Sequence, residues 1–360
     1  MNTMVLVLGV SAGSSGARAI LAHSDQPHLP PIDCCAVRRR PGAGVDEAVF
    51  EVIRRMSLSA QQRDELIAST AVTCRSAEHA EIVRRAAGRR RLTVVDEPLA
   101  QLRYLRFTGR LPDSGSVLLY DLGSAGLTLT QVDCRADAVL GSDHGSCPGG
   151  DDYDALLRNR LAHVGVRADR AVVRRHREEL SSARVVTATD PRTGARAVLT
   201  HSDLADLLTD GVRDSASAVE QLIERTGTRP IALVLVGGCA RSPIVREELA
   251  ATFDLPIVHD PEPEHVSARG AVLLAAERPS GDVHIPHLRT DPIPAPPVPA
   301  RRGRWKLVTA AAVTLALSVT VAGLLAFGRE APRESEHGST PTLVIPPVIQ
   351  TPYAPPAPPN

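Results

Sequence analysis

Lysine is nearly absent: Lys306 is the only one in 360 residues, and every other permanently cationic side chain is an arginine. A reaction that needs a side-chain amine to take up or release a proton has none to use before position 306, because a guanidinium stays charged. Aromatic residues are scarce too, at 2% of the chain. Without them there is no ladder on which bases stack, which argues against nucleic acid as a partner. Lys plus Arg and Asp plus Glu both total 41, so the net charge is +0 and no overall field draws the chain toward polyanions. The six cysteines (Cys34, Cys35, Cys74, Cys134, Cys147 and Cys239) include no C-x-x-C pair and no companion histidine spacing. Zinc and dithiol-redox signatures are therefore missing, and free thiols in a reducing cytoplasm are expected. No basic residue precedes the brief apolar run from Met4 to Val10, so no secretory signal is expected there.

What is abundant is apolar: 43% of the residues, enough for a packed interior built from Ala, Val and Leu. In the first 280 residues, short apolar runs such as Met4 to Val10, Ser116 to Tyr120 and Ile231 to Val236 alternate with helical patterns such as Ala77 to Ala87 and Asp203 to Arg225. That alternation predicts an α/β architecture. The composition then changes. Prolines recur from about Pro279 to Ala300, as in DPIPAPPVPA, which predicts an extended linker over 281–304. An uncharged stretch from Leu307 to Phe327 is long enough to cross a hydrocarbon core, so 305–327 is expected to be a transmembrane helix. Arg301, Arg302, Arg304 and Lys306 crowd its N-terminal side, with Trp305 at the interface, whereas Arg329 and Arg333 on the other side mix with Glu330, Glu334 and Glu336. The positive-inside tendency then puts residues 1–280 in the cytoplasm and the proline-rich tail 328–360 outside.

Two segments have the composition of anion-binding hairpins. The first strand runs into Gly9-Val10-Ser11-Ala12-Gly13-Ser14-Ser15-Gly16, and Tyr120-Asp121-Leu122-Gly123-Ser124-Ala125-Gly126 leads into Leu127 to Val132. Small residues at such a bend let backbone N–H groups face a phosphate. Singly, each is more often an ordinary glycine hairpin; together they suggest a duplicated fold with a cleft between lobes.

Further segments follow in a telling order. Val95-Asp96-Glu97-Pro98-Leu99-Ala100 is similar to an N-E-P-T-A-A motif, and Cys147-Pro148-Gly149-Gly150-Asp151-Asp152-Tyr153-Asp154 to L-G-G-E-D-F-D. Glu178-Glu179-Leu180-Ser181-Ser182-Ala183 resembles a nucleoside-contacting helix, and Leu235-Val236-Gly237-Gly238-Cys239-Ala240-Arg241-Ser242-Pro243 a V-G-G-S-T-R-I-P loop. Pro263-Glu264-His265-Val266-Ser267-Ala268-Arg269-Gly270-Ala271 is similar to P-D-E-A-V-A-x-G-A. Over residues 1 to about 278 the chain thus resembles the nucleotide-binding domain of the Hsp70 family, within the actin-like ATPase superfamily. The resemblance implies a bilobal, duplicated ribonuclease-H-like α/β fold that binds ATP or ADP, with Mg2+ as an optional companion. It assigns nucleotide contacts to Gly13, Ser14, Ser15, Asp121, Gly123, Ser124, Gly149, Gly150, Arg177, Ser181, Gly237, Gly238, Arg241 and Glu264, and metal contact to Asp121. Arg241 is expected to lay its guanidinium on the adenine face.

The pattern also fails in places. Ser11 and Thr128 stand where the family has carboxylates for metal and water, and the catalytic lysine has no counterpart, although an arginine could supply its charge. Glu97 and Asp121 are what remains of the catalytic set. Arg174 falls on the family's acidic ribose contact and offers only donors there. The first lobe is short, with few residues between Leu21 and Ser69, and the resemblance stops before any peptide-binding domain. The leading expectation is a membrane-anchored adenine-nucleotide-binding protein, chaperone-like or regulatory, that hydrolyses ATP weakly or not at all and engages a cytoplasmic protein. A modified but working ATPase, an actin-like filament at the membrane and a dead scaffold remain the alternatives.

Overall fold

Alternating burial organises the first lobe. In the computed structural model, which describes residues 5–27, 29–144 and 147–277, the N-terminal apolar run forms strand β1 (Leu6–Gly13) and turns back as β2 (Gly16–His23). A third strand, β3 (Asp33–Arg38), completes an antiparallel meander. Helix α1 (Val45–Gln61) leads to β4 (Ile67–Cys74), which runs parallel to β1. Helix α2 (Ala77–Ala87) then leads to β5 (Thr93–Asp96), parallel to β4. The sheet order is β3-β2-β1-β4-β5. Helix α2 occupies the residues that its periodicity predicted, and its Ser76 cap accepts a hydrogen bond from the His79 N–H at 3.2 Å.

The second lobe repeats this plan. Strands β6 (Ser116–Leu122), β7 (Leu127–Asp133) and β8 (Ala138–His144) form the meander. After helical segments come β11 (Ala232–Val236), parallel to β6, and β12 (Ile257–His259), parallel to β11. The order β12-β11-β6-β7-β8 is the first sheet's order again. A mixed α/β chain with two five-stranded sheets of one topology fits the bilobal, duplicated actin-like architecture. Between β8 and β11 the second lobe carries α4 (Gly150–His163), α5 (Arg170–Leu180), the hairpin β9 (Val185–Thr189) and β10 (Arg196–Thr200), and the long α6 (His201–Thr226). The equivalent stretch of the first lobe holds only α1, which accounts for its shortness.

Each central strand is buried on both faces, so its side chains divide by period two. Leu6, Leu8 and Val10 pack with Val49, Val52, Met56 and Val83 of α1 and α2. Val7, on the opposite face, joins Ala268, Ala271 and Val272 of α8 (Val266–Ala276). In the second sheet Leu118, Tyr120 and Leu122 face the core built from α4 to α7 (α7 is Pro243–Thr252), while Val117 and Leu119 meet Leu102 and Leu105 of α3 (Glu97–Phe107). The closing helices are therefore exchanged: α3, which follows the first sheet, covers the second, and α8, which follows the second, covers the first. They touch where Gly270 abuts Ala100, so closely that a Cβ at 270 would lie 1.8 Å from the Ala100 carbonyl oxygen. This crossing fixes the two sheets side by side, with the C-terminal ends of their parallel strands facing one cleft.

All six cysteines are free thiols. Among the described residues no helix is long and apolar enough to cross a membrane. The expected linker, transmembrane stretch and tail, 281–360, lie outside the described residues.

Candidate functional site

Open α/β sheets bind ligands beyond the carboxyl ends of their strands. A cleft of about 480 Å³ lies there, walled by both lobes. The β1–β2 hairpin brings Ser11, Gly13, Ser14 and Ser15 to one side. The β6–β7 hairpin brings Asp121, Gly123 and Ser124 to the other, its turn closed by the Gly123 N–H donating to the Gly126 carbonyl at 3.0 Å. Beyond β11, Gly237, Gly238 and Arg241 form a tight turn that ends where Pro243 opens α7. Gly237 has φ +93°, and a Cβ there would meet the Asp121 carboxylate at 2.5 Å, so this turn can lie against β6 only with glycine. Arg177, Ser181 and Glu264 complete the wall.

Gly149 and Gly150 do not line the cleft. They sit behind the second hairpin: Gly150 N–H donates to the Gly123 carbonyl at 3.0 Å and Asp151 N–H to the Ser124 carbonyl at 2.8 Å. A Cβ on Gly149 would come within 2.2 Å of the Gly126 nitrogen. The glycine requirement at 149 therefore comes from seating the hairpin on the start of α4, whereas a Cβ on Gly150 would meet Cys239 Sγ at 2.9 Å and Arg177 Nη2 at 3.1 Å.

On the floor, three side chains that sequence reasoning did not single out surround the two retained carboxylates. Arg75, one residue past β4, sets Nη2 at 3.1 Å from Asp121 Oδ2 and Nε at 3.4 Å from Glu97 Oε2. Gln101 of α3 donates from Nε2 to the same Asp121 oxygen at 3.1 Å and also reaches Ser267 Oγ of α8 at 3.1 Å. Burial, and then the Asp121 charge, push the Glu97 carboxyl up to about 7, with Arg75 only partly opposing them. The Asp121 charge in turn raises Arg75 above its ordinary value. In the sequence Arg75 is one arginine among many, placed between a strand and a helix-capping serine, and nothing local marks it as a cleft residue.

Other charges are committed locally. Arg174 pairs with Asp154 at 2.9 Å and with Asp151, and Arg177 donates to Asp154 at 2.6 Å, so α5 is clamped to α4 and Arg174 makes its contacts with carboxylates of its own lobe. Thr128, opposite Asp121 in the β6–β7 register, is hydrogen-bonded to His144 Nδ1 at 3.2 Å. At the mouth, the 63%-exposed Arg241 lies 3.3 Å from one Glu264 oxygen, and the other Glu264 oxygen is buried with no hydrogen-bond partner among the described residues. It is an acceptor held at the cleft edge.

Magnesium does not fit this floor. At a nucleotide site it keeps several waters and takes one or two free carboxylates together with phosphate oxygens. Here Asp121 is already engaged by a guanidinium and an amide, Glu97 faces the same guanidinium, and Thr128 is turned to a histidine. Among the described residues no cluster of three or more His, Cys, Asp or Glu side chains could hold a metal ion. Asp121, the carboxylate expected to contact a metal, is ion-paired with Arg75 in this structure.

No family model matches the chain. It is similar to the chaperone protein HscA of Salmonella arizonae, 28% identical over 205 residues, which cover 53% of this chain and 33% of that protein. A chaperone protein HscA homolog of Shewanella putrefaciens is 29% identical over 192 residues, 47% of this chain and 31% of that protein. The chain is a distant, partial relative of an Hsp70-type chaperone. The matched stretch spans about a third of the length of these relatives.

Proposed function

We propose that residues 1–280 bind ATP or ADP in the cleft between the lobes, with weak hydrolysis or none. The chain then acts as a membrane-anchored, nucleotide-dependent chaperone-like or regulatory module toward a cytoplasmic protein. The observation that carries this reading is convergence: two glycine–serine hairpins from duplicated sheets and the Gly237–Arg241 turn meet at one cleft. Backbone N–H groups of such hairpins suit phosphate oxygens. The flat approach past Gly237 and Gly238 suits a purine ring, which Arg241 would cover, and the unpartnered Glu264 oxygen suits a ribose hydroxyl or ring amine. Homology to HscA supports the chaperone-related part. Membrane anchoring rests on the uncharged stretch 307–327 and its basic flank.

Weak turnover is argued from the floor. Asp121 is held by Arg75 and Gln101, Glu97 faces Arg75, and Ser11 and Thr128 bring hydroxyls where the family uses carboxylates, so of that carboxylate set only Glu97 is left to take a proton from an attacking water.

Calorimetric titration of the full chain with ADP tests the reading. Saturable binding is expected, and Arg241→Ala should weaken it by roughly twofold to thirtyfold, the equivalent of about 0.5 to 2 kcal/mol of cation–π contact. No binding of ADP or ATP at millimolar concentration would sink the proposal.

A further inference from the structure

Deepening the nucleotide reading and resting on it, we propose that Arg75 is the resident cation of the cleft, filling the place of a divalent metal, so that nucleotide is taken up without magnesium. Asp121 and Glu97 are both buried, from different elements, and a carboxylate removed from water beside a second carboxyl requires a compensating positive charge. The Arg75 guanidinium supplies it, reaching both.

The placement is tight. The same guanidinium lies 3.0 to 3.1 Å from where a Cβ on Gly123 would be, so it sits against the second hairpin as well as between the carboxylates. Gln101, anchored to Ser267, holds Asp121 from the far side. A divalent ion entering here would have to expel a like charge from a buried pair. Arg75 nevertheless lines the cleft, its side chain 21% exposed. Guanidinium has five N–H donors, more than the two carboxylate contacts consume, and its planar fork matches phosphate oxygens. A phosphate brought in by the hairpins would meet Arg75 directly. Unlike magnesium, this cation neither dissociates nor coordinates water, which agrees with slow chemistry at the site.

Two readouts on the full chain test the proposal. The first needs no nucleotide: Mn2+ uptake followed by electron paramagnetic resonance. Wild type should take up no Mn2+ at submillimolar concentration, whereas Arg75→Ala, which exposes both carboxylates, should bind it. The charge-keeping Arg75→Lys serves as the folded control and should resemble wild type. Mn2+ binding by wild type that disappears in Asp121→Asn would overturn the proposal. The second readout is ADP affinity in EDTA and in excess Mg2+. Wild type should bind equally in both, and Arg75→Ala should weaken EDTA binding by roughly tenfold or more, the loss of one charge-assisted hydrogen bond. Wild-type binding that is tenfold tighter with Mg2+ would contradict it. Absence of ADP binding in both buffers counts against the nucleotide reading alone, because the Mn2+ result still decides what occupies the floor.

Discussion

Gly270→Ala is the sharpest mechanical test of the fold. In the structure a Cβ at this position would lie 1.8 Å from the Ala100 carbonyl oxygen, 2.3 Å from its carbon and 2.9 Å from its Cα, against an ordinary contact of 3.4 Å or more. The obstacle is backbone on both sides, so no side chain can swing away. Helices α3 and α8 would have to separate by about 1.6 Å, taken as 3.4 minus 1.8. A gap of that size forfeits much of the dispersion energy along both faces, and the atoms concerned belong to two buried clusters. Overpacking of a core costs roughly 1 to 3 kcal/mol and occasionally more, and rigid backbone on both sides puts this case at or above 3 kcal/mol. Urea unfolding of the variant should show a lower midpoint with an unchanged slope. Gly13→Ala is the control, because a Cβ there meets its nearest atom at 3.6 Å and φ is not in the left-handed region. It should cost less than about 1 kcal/mol. Equal, small losses for both variants would refute the close crossing, and with it the argument that exchanged helices hold the two walls of the cleft.

Burial and the Asp121 charge put Glu97 at about 7 in the folded state, above the 4.5 of an unperturbed glutamate, so between those values the folded chain holds a proton that the unfolded chain has released. Stability should therefore fall as pH rises through that window, by up to roughly 3 kcal/mol, and this slope should vanish in Glu97→Gln when unfolding midpoints are measured from pH 5 to 8. A slope identical in wild type and variant would reject the assignment. ATP turnover by the purified chain should be negligible in a phosphate-release assay, and Ser11→Asp combined with Thr128→Asp should raise it only if Arg75 is also removed. Robust release by wild type would favour a working ATPase. For the expected topology, a variant lacking exposed Cys34 and carrying Ser339→Cys should react with an impermeant maleimide in intact cells, whereas one carrying Ser280→Cys should react only after lysis; the reverse pattern would put the lobes outside.

Local chemistry made much of this architecture readable. The hairpins at Ser14-Ser15 and at Gly123 to Gly126, the helix Ala77–Ala87 and the strand ending at Val236 all lie where small-residue bends, periodicity and an apolar run put them. Two such hairpins implied the duplication that the repeated sheet order displays. The contributions that went unread depend on distant contacts. Arg75 follows a strand and is followed by a helix-capping serine, so in one dimension it reads as a solvated loop residue; only the parallel pairing of β4 with β1 brings it to the cleft floor. Gln101 looks like a polar position on an amphipathic helix, and becomes a buried link between Asp121 and Ser267 only because α3 crosses to the second sheet. Gly149 and Gly150 were expected to contact nucleotide, whereas Gly149 packs on the back of the second hairpin and Gly150 donates to its Gly123 carbonyl. Arg174 was legible as a departure from an acidic ribose contact, and its partners, Asp151 and Asp154, stood in the neighbouring motif.

The central claim is that elements from both lobes close on one adenine nucleotide, and amide hydrogen exchange with and without saturating ADP measures it most directly. The account predicts slower exchange, on ADP addition, at the turn around Ser14 and Ser15, at Gly123 to Gly126 and at Gly237 to Arg241 together, with little change in the outlying β9–β10 hairpin. Exchange that is unaltered at all three turns, or slowed in one lobe only, would contradict it.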